Sequence, residues 1–315
     1  MFSAVTLLAS LLAQAPALPN DPSLLAPGAT FEKVVGDLKF SEGPAWSPEG
    51  FLLFEDVPRN RTMKLGPDDK ATVFREPTGR ANGLGFDAKG RLIICEGNHD
   101  GGRRMVRLEK NGKLTVLADK HAGKKLNSPN DLTIDRKGRI YFTDPRYSKR
   151  EELEQDKEAV YRIDPDGKLT RIIDNLVRPN GLAITADGKT LYVAENASPG
   201  GVVQLWAYDV DAKGNTSGGR IIHDFKTGRG IDGLTLDSDG RIWATAGTKD
   251  LAGIYVFQPD AKRATSKLVS VFKMPEDPTN CTFGGKNRDI LYVTTTASLF
   301  RIKTAVKGKP GLPGK

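Results

Sequence analysis

The sequence predicts an all-β chain folded as a six-bladed β-propeller, with four-stranded blades and the last blade closed by the N-terminal strand. Three observations lead there. A hairpin unit recurs six times, at spacings of 40, 48, 50, 52 and 48 residues. Further strand-like runs follow each copy, so four short strands fill a unit, which is the period of a propeller. The sixth copy holds only three strands, and a spare strand precedes the first.

The elements follow in order. The spare strand is TFEKVVGD, 30–37. The copies then open at Glu42 (EGPAWSPEGFLLFED), Asn82 (NGLGFDAKGRLIICE), Asn130 (NDLTIDRKGRIYFTD), Asn180 (NGLAITADGKTLYVAE), Asp232 (DGLTLDSDGRIWATA) and Asn280 (NCTFGGKNRDILYVT). The third shows the logic most clearly. Leu132 and Ile134, then Ile140 and Phe142, alternate with period two on either side of an Asp-Arg-Lys-Gly turn, which marks a hairpin with one buried face. Two more strands complete it, AVYRIDP and KLTRIID. The sixth copy ends in SLFRIKT, and the N-terminal strand pairing there hides two sheet edges that would otherwise stay open.

The predicted organisation is a signal peptide over 1–17, a linker over 18–28, the propeller over 29–304 and a basic disordered tail over 305–315. Residues 2–17 are uncharged and mostly apolar, with Ala13-Gln14-Ala15 or Ala15-Pro16-Ala17 as small-x-small cleavage sites. An exported protein, periplasmic or secreted, is therefore expected, with no membrane association after signal removal. The last residues are rich in Gly, Pro and Lys, a composition that does not build a core. At 315 residues the length alone would permit two domains, but the uniform repeat argues for one propeller. Charged residues at 27% and hydrophobic ones at 38% are ordinary for a globular chain. The net charge of +8 is spread out, and no basic groove with interleaved aromatics occurs, so nucleic acid is not an expected partner. Cys95 and Cys281 offer one candidate disulfide, though two buried free thiols are the favoured reading.

In a propeller the first strand of each blade lines the axial tunnel, so the six opening residues converge on one mouth. Here they are Glu42, Asn82, Asn130, Asn180, Asp232 and Asn280, every one a carboxylate or a carboxamide. Turn formation explains some Asn and Asp, but it does not explain Glu42. Oxygen donors without His or Cys suit a hard cation, and Ca²⁺ is the first choice. Mg²⁺ and Mn²⁺ suit the same donors, and Zn²⁺ less well, since its usual nitrogen and sulfur ligands are missing. Glu42 and Asp232 would balance a divalent charge and would repel each other without one.

A second group of acids closes the second strands. Asp56, Glu96 and Asp144 each lie 14 residues after an opening residue, and Glu195 lies 15 after. They are read either as strand caps paired with Arg or as an outer layer orienting the ligands. The loops 97–104, 145–158 and 196–201 lie over the same mouth, where specificity usually resides. The highly charged 149–158 run is expected to be a solvated turn. His99, His121 and His223 do not open blades, and no GxSxG elbow occurs, which disfavours a Ser-His-Asp hydrolase.

These residues resemble the SMP-30/gluconolactonase/luciferin-regenerating family of six-bladed propellers, nearest its bacterial gluconolactonase branch. SEGPAW around Glu42, LNSPNDL around Asn130, RPNGLA around Asn180, GIDGL around Asp232 and PTNCTFGG around Asn280 carry the likeness. It implies a divalent metal held by Glu42, Asn180 and Asp232, with Asn130 beside it touching metal or substrate. It also implies that Asp232 is the catalytic acid/base. Animal members carry an Arg two residues before the equivalent of Asn130. Here Ser128 stands there, so sugar specificity does not transfer. Asn127, Ser128, Asn82 and Asn280, with Lys124 or Lys125, are the candidate substrate contacts.

The implied function is metal-dependent hydrolysis of a small-molecule sugar lactone. The metal would polarise the carbonyl while Asp232 takes a proton from water. Direct attack by Asp232 and attack by a metal-bound water are variants. The alternatives are another ester or phosphotriester hydrolase on this scaffold, and a non-catalytic secreted propeller that uses the metal to stiffen a binding face.

Overall fold

The computed structural model describes residues 18–312. The expected signal peptide over 1–17 lies outside the described residues. Six four-stranded antiparallel sheets form the six blades; in blades 1 to 5 the strands follow sequence order from the axis outward, and in blade 6 the N-terminal strand takes the outermost place. The innermost strands of blades 1 to 6 are Ser41–Trp46, Ala81–Phe86, Leu132–Ile134, Pro179–Ile184, Ile231–Leu236 and Pro278–Gly284. Every second strand is nearly or wholly buried, because it is sandwiched between neighbouring blades. The hydrophobic core is accordingly split into clusters between blades, such as the one joining Trp243, Ile254 and Phe272 to Phe283, Leu291 and Phe300.

Ring closure follows the predicted route. Glu32–Val35 pairs antiparallel with Leu299–Lys303 as the outermost strand of blade 6. Arg301 then bridges Glu32 of that strand to Asp69 of blade 1. Deeper in, Ser41 Oγ donates to the carbonyls of Thr295 and Ser298, and Thr279 Oγ1 donates to the carbonyl of Ser41. The seam between first and last blade is thus stitched by buried hydroxyls that have no water to fall back on.

Both flanks depart from expectation. The stretch 18–28, predicted as a linker, is docked: Leu24 is buried against blades 5 and 6, and Val271 N donates to Pro19 O at 2.8 Å. The tail over 305–315, predicted to be disordered, is ordered through 312. Ser238 N donates to Lys307 O, Gly308 N to Arg288 O and Lys309 N to Leu236 O at 2.7–2.8 Å, while Lys309 Nζ donates to Ile184 O. Leu236 and Ile184 end innermost strands, so the tail crosses the tunnel end opposite the mouth. Composition pointed to disorder because it does not register that the ends of the innermost strands offer backbone partners. The 145–158 loop is likewise pinned: buried Arg146 donates to the carbonyl of Asn127, and Gln155 Nε2 donates to the carbonyls of His121, Lys124 and Lys125. Cys95 and Cys281 are buried and unpaired. No helix among the described residues is long and apolar enough to cross a membrane.

Candidate active site

The mouth begins with a backbone irregularity. In blades 1, 2, 4, 5 and 6 the pairing of first and second strands slips just after it starts, between Glu42 and Ala45, Ala81 and Leu84, Pro179 and Leu182, Ile231 and Leu234, and Pro278 and Asn280. In blade 3 the regular ladder starts only at Leu132, two residues after Asn130. A bulge re-aims the side chain it carries; here it falls on the opening residue in blades 2, 4 and 5, just after Glu42 in blade 1 and just before Asn280 in blade 6.

The residue after the opening one is Gly in blades 1, 2, 4 and 5. A Cβ on Gly43 would overlap the Asn82 carbonyl oxygen, and one on Gly233 would overlap the Asn280 side chain. Each of these glycines lets the next blade's opening residue close in, which is what brings the six together. Blade 3 breaks the pattern with Asp131, and blade 6 breaks it with Cys281.

The resulting cavity has a volume of about 560 Å³ and takes in Glu42, Asn82, Asn130, Asn180 and Asp232 along with Ser128. Asn180 Nδ2 donates to Asp232 Oδ1 at 2.6 Å. Arg229 donates to the other carboxylate oxygen, Oδ2. Glu42 is 3% exposed, and its carboxylate accepts from the Gly43 backbone N–H at 3.0 Å. Burial, then the charges of Asp232 and Asp131, push its carboxyl well above the usual range, and among the described residues it forms no salt bridge with a cationic side chain.

Asp131 was not anticipated. Its carboxyl is buried, accepting from Leu132 N at 2.8 Å and from Asn280 Nδ2 across the ring at 3.2 Å. Burial is the main cause lifting it to about 7. The signal that could have found it is the lapse from Gly in the repeat. Asn196, Tyr147 and Arg229 also line the cavity and were missed. They lie outside the repeated hairpin start, so periodicity is silent about them.

The other predicted residues are placed as follows. Asn280 is not part of the cavity wall; it sits behind it, bonded to Asp131 and to its own neighbour Cys281 N. Asn127 is fully buried, its amide donating to the carbonyls of Asp144 and Lys157, so it does not reach the cavity as the sequence suggested. Lys124 and Lys125 lie in a short exposed ladder away from it. Asp144 holds the backbone N–H groups of Asn127 and Ser128 at 2.7 and 2.6 Å, and so positions the Ser128 wall. Asp56 and Glu96 are instead absorbed by Arg59 and Arg61, and by Arg75 and Arg104. None of the three histidines lines the cavity; His223, for example, packs against Phe225 and Phe257.

Among the described residues no group of three or more His, Cys, Asp or Glu is arranged to hold a metal by itself. A cage here would be mixed, carboxylate with amide. That donor set fits a hard cation: a deeply buried Glu42, with no salt bridge among the described residues, feels the charge of Asp232, and Asn180 gives its N–H₂ to Asp232, so that its amide oxygen can serve as a donor to a cation.

Fold and mouth together define a six-bladed propeller with an oxygen-lined axial pocket. The chain matches the family model described as SMP-30/Gluconolactonase/LRE-like region over residues 40–297 and belongs to that family. It is similar to a gluconolactonase of Zymomonas mobilis, 31% identical over 92% of this chain and 85% of that protein. A pentonolactonase of Haloferax volcanii is 26% identical over 86% and 93% of the two chains. Among solved structures, a gluconolactonase from Xanthomonas campestris superposes with a TM-score of 0.79 at 31% identity, covering 92% of this chain and 97% of that one.

Proposed function

We propose that this protein hydrolyses sugar lactones with the help of one divalent cation, Ca²⁺ by preference. The observation that carries the reading is the buried Glu42 carboxylate, on which the charges of Asp232 and Asp131 act and which has no salt-bridge partner among the described residues. Lactone-hydrolysing relatives of similar length support the substrate class.

Glu42, Asn180 and Asp232 would hold the cation, with Asn130 beside them. The bound cation supplies Lewis acidity toward a carbonyl oxygen. Asp232 accepts a proton from the water that adds to the lactone carbonyl carbon. The same proton passes to the ring oxygen as the C–O bond breaks, so the product is an open-chain hydroxy acid. Asn82, Asn130 and Ser128 present uncharged donors and acceptors to the sugar hydroxyls, which suits a neutral polyol. Tyr147, 44% exposed, lines the same cavity and offers an aromatic face to the substrate.

The test is proton release on a panel of aldonolactones, with and without chelator, alongside phosphotriester substrates. Turnover of lactones that EDTA abolishes and Ca²⁺ restores is the expected result. Activity that survives complete metal removal would refute the Lewis-acid role. We also propose export to the periplasm or medium, on the apolar 2–17 segment; N-terminal sequencing of the secreted form should begin near residue 16 or 18.

A further inference from the structure

Arg229 stands three residues before Asp232 and lines the same cavity. Its guanidinium is held from behind: Nη1 donates to the carbonyl oxygens of Pro278 at 2.7 Å and Gly247 at 3.3 Å, and Nη2 donates to Asp232 Oδ2. Gly247 follows the second strand of blade 5, and Pro278 opens the first strand of blade 6. Two adjacent blades therefore fix the guanidinium, and the guanidinium fixes one carboxylate oxygen. Asn180 of blade 4 takes the other. The Asp232 side chain is left with one orientation, set by three blades.

We propose that Arg229 is a positioning residue that sets the plane of the Asp232 carboxylate in the pocket, at a cost in cation affinity. The proposal rests on the lactonase reading only for its kinetic test. A fixed positive charge on a cation ligand opposes a divalent ion, so holding the ion more tightly does not explain it. The planar fork does explain it, since one rigid group satisfies two carbonyls and a carboxylate at once. Lysine carries the charge but not the plane.

The test uses Arg229→Met and Arg229→Lys in the full chain. Calcium affinity is measured by calorimetry, turnover on glucono-δ-lactone at saturating Ca²⁺, and folding by Tm. Arg229→Met is expected to lose about ten- to a hundred-fold in kcat while binding Ca²⁺ more tightly than the wild type. Arg229→Lys recovers part of kcat. Opposite movement of turnover and affinity is what a merely structural role would not give. The proposal is overturned if kcat of Arg229→Met stays within about twofold of wild type. It is also overturned if kcat, calcium affinity and Tm all fall together. Should the wild type show no lactone turnover, the lactonase reading fails on its own, and calcium binding decides: tighter binding by Arg229→Met supports the positioning role, and equal or weaker binding overturns it.

Discussion

Glu55 should make this protein less stable in alkali. It lies on the second strand of blade 1 with no exposure. Oε1 accepts from Thr62 Oγ1 at 2.6 Å, and Oε2 has no partner. Burial outweighs the Thr62 bond and the Arg75 charge and lifts the carboxyl from 4.5 to about 8. Between those two values the folded protein keeps a proton that the unfolded chain has released. The stabilising contribution is therefore complete below pH 4.5, is lost as pH rises, and is gone above about 8. The full difference corresponds to about 5 kcal/mol, of which about 4 falls between pH 5 and pH 9. Glu55→Gln keeps the shape and the Thr62 acceptor but cannot ionise. Its buried amide donor lacks a partner, which costs about 1–3 kcal/mol at every pH. The variant should thus be less stable than wild type at pH 5 and more stable at pH 9, with the two differences separated by about 4 kcal/mol. Urea unfolding of both proteins at the two pH values measures this. An unchanged gap between variant and wild type would refute the argument. Because Glu55 is not part of the cavity, lactone turnover at neutral pH should be untouched.

The remaining predictions concern the pocket and the tail. Asp131→Asn removes one of the like charges acting on Glu42. It should raise Tm in EDTA and lower calcium affinity by about tenfold, measured by calorimetry; unchanged affinity would mean that Asp131 does not act on the cation. Deleting 305–315 strips the backbone bonds made by Ala305, Lys307, Gly308 and Lys309. At about 1 kcal/mol net for each bond, less the ordering entropy of the segment, stability should fall by about 1–3 kcal/mol. Turnover should persist, since the tail lies at the end opposite the mouth; loss of turnover with the fold intact would show that the tail reaches the site.

Much of the fold was legible because the repeat is local. Alternation around each turn, from Leu132–Ile134 to Ile140–Phe142, reports a hairpin whatever lies beyond it. The six opening residues were legible for the same reason, and five of them do share the cavity. Asn280 and Asn127 were misplaced because chain proximity to the mouth does not say which way a bulged or looped side chain points. The sequence reads the charged 149–158 run as solvated, yet Gln155 and Glu158 are buried: Gln155 donates to the carbonyls of His121, Lys124 and Lys125, and Glu158 pairs with Arg150. Leu24 and Lys309 belong to segments of low apolar content whose partners are contributed by other blades, which composition cannot register.

The order of residues by itself determined the number of blades, the strand that closes them and the ring of oxygen side chains at their starts. These depend on short-range alternation and on a period that can be counted along the chain. Only the tertiary structure decided that Asp131 meets Asn280 from the far side of the ring, and that Arg229 grips Asp232 from carbonyls of two blades. The reason is geometric: such contacts join residues 149 and 49 positions apart, and ring closure, not sequence spacing, sets those distances.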